Sequence, residues 1–206
     1  MLYKKLEEDE LDIILGASMM EPDIRIQTNE KGFCRRHYRR MLRRKRMLGI
    51  GLITESHLAE VRNKLTARAP LGDPSKPARE ALRRLNEDCY LCERIDKNLA
   101  AMERTAVYLY ESDPAFPARL RRAPYFCLPH YTALLDYAAL KMNKKVYRAF
   151  YEDLLAIDSA YLEELSGDVS WFCKKFDYRY DEEPWYRSKD SVARAVAFLD
   201  GDAEED

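Results

Sequence analysis

Phe33-Cys34-Arg35-Arg36-His37-Tyr38 and Phe126-Cys127-Leu128-Pro129-His130-Tyr131 carry the same residue at four of six positions, and Leu42 and Leu135 then fall at matching distances behind them. A helical pattern follows each stretch. The chain therefore reads as two copies of one unit. Outward from these anchors, apolar residues recur at helical spacing almost everywhere. Leu2, Leu6, Ile13 and Ile14 mark a surface helix over residues 2–15. Glu21-Pro22-Asp23 and Asn29-Glu30-Lys31-Gly32 suggest a loop. Residues 34–68 read as helix, with a break at Gly49 and Gly51, and 78–111 as a second long helix ended by Asp113-Pro114 and Phe116-Pro117. Two further helices are expected over 129–141 and 144–165, and a short one from Ser188 to Leu199.

No stretch alternates for long with a period of two, so no sheet is expected. The fold class is all-α: a helical bundle of two related helical-hairpin units with an extended aromatic C-terminal strap. The first unit covers 1–68. A linker rich in proline, 69–77, separates it from the second, 78–166. Residues 167–206 form the strap, aromatic and basic around Trp171-Phe172-Cys173-Lys174-Lys175-Phe176, and an acidic end.

Cys89-Tyr90-Leu91-Cys92 adds the chemistry. Two thiols separated by two residues grip one ion from a single turn, and CxxH does the same. Tetrahedral zinc needs four such donors, and three cysteines with one histidine are a common structural set. The CxxC and the CxxH that follows it assign the site to Cys89, Cys92, Cys127 and His130. Pro129 suits a first helical turn, and helix N-termini favour thiolates. The 34 residues between the pairs would make the metal a staple across a helical hairpin.

Other readings of CxxC fit less well. A thioredoxin-type site needs a βαβ pattern. A c-type haem needs a histidine directly after the second cysteine, where Glu93 stands. Iron–sulfur clusters usually take four thiolates. Cys34 and His37 then remain as half a site, since no CxxC precedes them. Counting back the distance that separates Cys92 from Cys127 falls just ahead of Met1, which suggests either a shortened N-terminus or a decayed copy. One zinc ion per chain is expected, two if the N-terminus extends further. Cys173 has no partner at ligand spacing and reads as a small buried hydrophobe. His57 reads as a surface or core histidine.

Composition limits the function classes. The chain has 206 residues, 47% of them hydrophobic, which suffices for a core. Lys plus Arg (35) nearly balance Asp plus Glu (36), which excludes a uniformly basic nucleic-acid coat. No secretory leader and no run of about 18 apolar residues is seen, so a cytoplasmic protein without a membrane span is expected. In that compartment cysteines stay reduced.

Met20-Glu21-Pro22-Asp23-Ile24-Arg25, Asn29 to Tyr38, Cys89 to Ile95, Phe126 to His130 and the tail Trp171 to Arg179 with Pro184-Trp185 and Ser188-Lys189-Asp190 together resemble an uncharacterised bacterial family, known only as a domain of unknown function. The resemblance covers nearly the whole chain. It implies duplicated CxxC and FCxxHY metal motifs, with a CxxC ahead of the segment matching Leu2 to Leu6, where this sequence departs from the pattern. It implies no activity.

The expected function is a non-enzymatic, zinc-stabilised helical module that binds another macromolecule. A filled site of this kind leaves no open position, and no phosphate loop, HExxH or nucleophile elbow is present. Eight of the twelve residues from 35 to 46 are basic: Arg35, Arg36, Arg39, Arg40, Arg43, Arg44, Lys45 and Arg46. They suggest nucleic-acid binding, or else a helix that packs beside the acidic stretch Glu7, Glu8, Asp9, Glu10 and Asp12. A third reading is a thiol-based redox or metal sensor using Cys34 amid its arginines.

Overall fold

The computed structural model describes residues 2–201; the acidic end over 202–206 lies outside them. The protein is all-α, 77% helical, with no strand among the described residues. The helices are α1 (Leu2–Ile14), α2 (Pro22–Lys31), α3 (Arg35–Arg43), α4 (Met47–Thr66), α5 (Lys76–Glu87), α6 (Tyr90–Ser112), α7 (Phe116–Leu120), α8 (Leu128–Lys141), α9 (Lys144–Lys174) and α10 (Ser191–Asp200).

Several boundaries differ from the sequence expectation, each for a local reason. Residues 22–31 are helix, not loop. Pro22 occupies the first turn, where its missing N–H costs nothing, and Gly32 ends the helix at φ 62. The residues that looked like turn formers are the two ends of α2. The break between α3 and α4 falls at 44–46, where Lys45 takes φ 57. Gly49 and Gly51 lie inside α4. At Gly49 a Cβ would stand 3.1 Å from the Leu15 carbonyl oxygen, so the glycine permits close approach of the segment after α1.

α9 runs on to Lys174, so the first residues assigned to the strap are helical. It begins at Asn143, whose side chain accepts from the backbone N–H groups of Lys145 and Val146. The segment after it is tethered by a buried lysine. Lys175 Nζ donates to the carbonyls of Tyr180 (2.6 Å), Asp181 (2.9 Å) and Glu183 (2.6 Å), and stands over the Trp185 ring. Trp171 contacts Tyr180 and Tyr186 edge-on, and Phe172 contacts Phe176 and Trp185. Lys175→Met removes the cation that gathers three carbonyls, at a cost of about 1–3 kcal/mol. The chain's two tryptophans both lie here. The expected result is a red-shifted tryptophan emission at temperatures where the far-ultraviolet circular dichroism is unchanged.

The chain divides into two compact units, residues 2–98 and residues 99 onward. The segment 69–77 lies inside the first, and the boundary crosses α6. The first unit's core joins Leu11, Ile14 and Leu15 to Phe33, Met41, Ile50, Ile53 and the Cys89-Tyr90-Leu91 turn. Phe33 meets Tyr38 and Tyr90 edge-on at 5.5 and 6.2 Å. The second unit's core joins Val107 and Tyr110 of α6 to Leu120, Leu134, Ala138, Met142, Phe150, Leu154 and Ile157.

Candidate metal centre

Two turns of the first unit meet in its core. Phe33-Cys34 leads into α3 with Cys34 as N-cap (φ −70, ψ 163), and Asp88-Cys89 leads into α6. The Tyr90 N–H donates to the Gly32 carbonyl (3.0 Å), which sets the two turns in register. Gly32 carries no side chain at this point, where a Cβ would stand 3.0 Å from the His57 ring. His57 is buried and its Nδ1 lies 3.1 Å from the Asn29 carbonyl; it is a core histidine holding the end of α2.

The result is a cluster of four ligand atoms, from Cys34, His37, Cys89 and Cys92, all within 4.8 Å of one another. His37 Nδ1 lies 3.2 Å from the sulfur of Cys34, 3.2 Å from that of Cys89 and 3.5 Å from that of Cys92, and the Cys34 and Cys92 sulfurs are 3.9 Å apart. Around a tetrahedral zinc ion, bond lengths of about 2.3 Å to sulfur and about 2.0–2.1 Å to nitrogen set sulfur–sulfur distances near ~3.8 Å and sulfur–nitrogen distances near ~3.6 Å. The four donors already stand close to that arrangement.

This grouping differs from the one inferred from spacing. Cys89 and Cys92 stand with the earlier CxxH, Cys34 and His37, in one group that could hold a metal ion. Cys127 and His130 belong to the second unit. The spacing argument took the chain after Cys92 as a hairpin that returns to the CxxC. α6 is one unbroken helix of 23 residues, about 34 Å long, in line with the long helix expected there. The approach from the other side is longer in sequence but is made by α4 and α5, which bring the chain back to α3.

The surroundings suit a thiolate-rich site. Hydrogen bonding from the Cys92 thiol, helped by His37 and the backbone N–H groups of Cys92 and Cys34, outweighs burial and holds the Cys89 thiol well below its ordinary range. Cys92, the donor to that thiolate, is pushed up. Burial alone would lower His37, but the contacts with Cys89 and with the Glu7 carboxylate raise it to about 9. Its other nitrogen, Nε2, lies 3.0 Å from Glu7 Oε1, in ion-pair range without the alignment of a good hydrogen bond.

Glu7 was absent from the sequence-based site. It is 1% exposed, and Arg36 (3.0 Å) and Arg40 (2.5 Å) flank it. Burial would raise its carboxyl, but His37 and the two arginines outweigh that and hold it down. A carboxylate behind a ligating histidine fixes the ring's orientation and tautomer.

The basic segment is split by the same contacts. Arg36 and Arg40 face Glu7, and Arg44 and Arg46 each lie 3.5 Å from Asp12. Arg35, Arg39, Arg43 and Lys45 are exposed and have no acidic partner among the described residues. Cys173 is exposed on α9, contrary to the buried position expected of it.

The sequence profile of a family of unknown function (DUF6062) matches residues 1–206. The chain belongs to this family. No curated protein and no solved structure matches this DUF6062 member. Among the described residues no helix is long and apolar enough to cross a membrane.

Proposed function

We propose that this DUF6062 protein is a non-enzymatic, zinc-stabilised helical module of the cytoplasm that presents its surface to another macromolecule. The observation that carries this reading is the closed tetrad of Cys34, His37, Cys89 and Cys92 in the core. Three thiolates and one imidazole fill a tetrahedral ion, so no position is left for water or substrate. The ion would tie α3 to the start of α6, with Glu7 of α1 bracing the histidine. Elemental analysis of protein purified without added metal is expected to give at least one zinc per chain. Iron with visible absorbance, or no metal, would overturn this reading in favour of redox chemistry.

Metal uptake must displace the proton that His37 carries below about pH 9. Its affinity is therefore expected to rise with pH across the neutral range, because protons compete less as pH rises. Competition with a chromophoric chelator at several pH values checks this.

One observation favours a polyanion as the macromolecule. Arg35, Arg39 and Arg43 follow one another at four-residue spacing, about 6 Å of rise each, on the face of α3 that turns away from Glu7. The metal would hold the N-terminal end of this same helix. Binding to single- or double-stranded oligonucleotides at low salt is expected, with affinity falling as salt rises. Arg35→Glu, Arg39→Glu and Arg43→Glu together should abolish it. Absence of binding by the wild type at low salt removes this choice of partner.

A further inference from the structure

We propose that the outward face of α4 is the interface of a homodimer, in which α4 packs against α4 of a second copy of this chain in antiparallel orientation. Leu48, Gly51, Glu55, Leu58, Arg62 and Leu65 follow one another at alternating spacings of three and four residues, the heptad spacing of a coiled-coil seam. All six are exposed, and the helical period sets them on the side of α4 away from the buried Ile50, Ile53 and His57. Leu48, Leu58 and Leu65 are 75%, 65% and 57% exposed. Scattered exposed leucines are ordinary on a protein surface, but three in one seam of about five turns make a continuous strip. The strip holds only two charges, Glu55 and Arg62, in a chain of which 34% is charged.

The strip complements a copy of itself in one direction. With Leu48 opposite the partner's Leu65, the same register sets Gly51 opposite the partner's Arg62 and Glu55 opposite the partner's Leu58. The partner's Arg62 then stands one turn, about 6 Å of rise, from Glu55, and the twofold axis makes this ion pair twice. Within one helix the two residues are about 10.5 Å apart along the axis, beyond the three- or four-residue spacing at which side chains pair. Neither has an ion-pair partner among the described residues. A parallel pair in register would set glutamate beside glutamate and arginine beside arginine, like charge on like. Gly51 supplies the second argument. Glycine inside a helix weakens it relative to alanine. Gly49 has a reason within its own chain, the Leu15 carbonyl, whereas a Cβ at Gly51 would meet nothing within 4 Å. In the dimer the missing side chain leaves room for the partner's Arg62 to lie across the backbone on its way to Glu55.

The test is sedimentation equilibrium of the full chain. The wild type is expected to dimerise in the micromolar range. Leu58→Asp removes the central apolar contact and should be monomeric at the same concentrations. Glu55→Arg and Arg62→Glu each set like charges across the seam, so each should self-associate at least about tenfold more weakly. Both changes in one chain exchange the charges and re-form the pair, so the double variant should regain the wild-type affinity. In a parallel pair neither single change would alter the balance of like charges. The changed side chains are exposed in the single chain, so unchanged far-ultraviolet circular dichroism is expected of every variant and separates loss of the dimer from loss of the fold. A wild type still monomeric at about 1 mM, or a dimer that survives Leu58→Asp, overturns the proposal. So do single charge variants that associate as tightly as the wild type, or a double variant that stays as weak as they are. None of these readouts depends on the metal or on a polyanion, so this proposal and the zinc reading fail separately.

Discussion

Cys34→Ser and Cys89→Ser are expected to lose the same metal ion, whereas Cys127→Ser is expected to keep it. The three variants separate the observed cluster from the one that motif spacing alone suggested, because that alternative makes Cys89 and Cys127 partners and leaves Cys34 outside. The effect should be large. Structural zinc in small domains carries an apparent binding free energy of about 10–16 kcal/mol at neutral pH. The whole stability of a typical domain is about 5–15 kcal/mol. Loss of one ligand from a buried thiolate cluster should therefore unfold residues 2–98 at ordinary temperature. The cluster lies inside their core, next to Phe33 and Tyr90. Elemental analysis gives the ion count, and thermal melts of wild type with and without a strong chelator give the stability. Retention of the ion by Cys34→Ser and its loss from Cys127→Ser would reverse the assignment.

The donor types of this site were legible in the sequence; their partnership was not. CxxC stands between two CxxH motifs, 51 residues after His37 and 34 before Cys127. The shorter gap seemed the natural choice. What groups Cys89 and Cys92 with Cys34 and His37 is tertiary: the hydrogen bond from Tyr90 to Gly32 that sets the two turns in register. That bond has no signature in spacing. The helix over 22–31 was hidden for a different reason, since proline and glycine mark helix ends as readily as loops. The basic stretch carried more information than a count of charges. Arg36, Arg40 and Arg44 share one four-residue register and Arg35, Arg39 and Arg43 another. The two stripes could have been separated in advance, and only one of them can face α1. Glu7 had no such mark. It is one acid among several in α1, and its role depends on a histidine brought to it by the fold.

Glu7→Gln tests that role at nearly constant shape. The wild-type carboxylate is buried against Arg36, Arg40 and His37, so the variant keeps the volume and removes the charge that balances two guanidinium groups. Removing the charge of one partner from a buried ion pair costs up to about 3–5 kcal/mol. Loss of the carboxylate behind a ligating histidine lowers metal affinity by about 10–100-fold. Both effects are expected together, the first in thermal or denaturant melts and the second in chelator competition. The acid limb provides a separate readout. The Glu7 carboxyl is held below its ordinary value in the folded protein, so its contribution is complete above the unfolded value of 4.5 and is lost as pH falls through the folded one. The variant should lack that part of the acid destabilisation. Arg40→Met, with a side chain of similar length and no charge, completes the comparison. If the ion pair exists as described, the double variant loses less stability than the two single variants together. Strict additivity would mean that Glu7 acts on the metal centre through His37 alone.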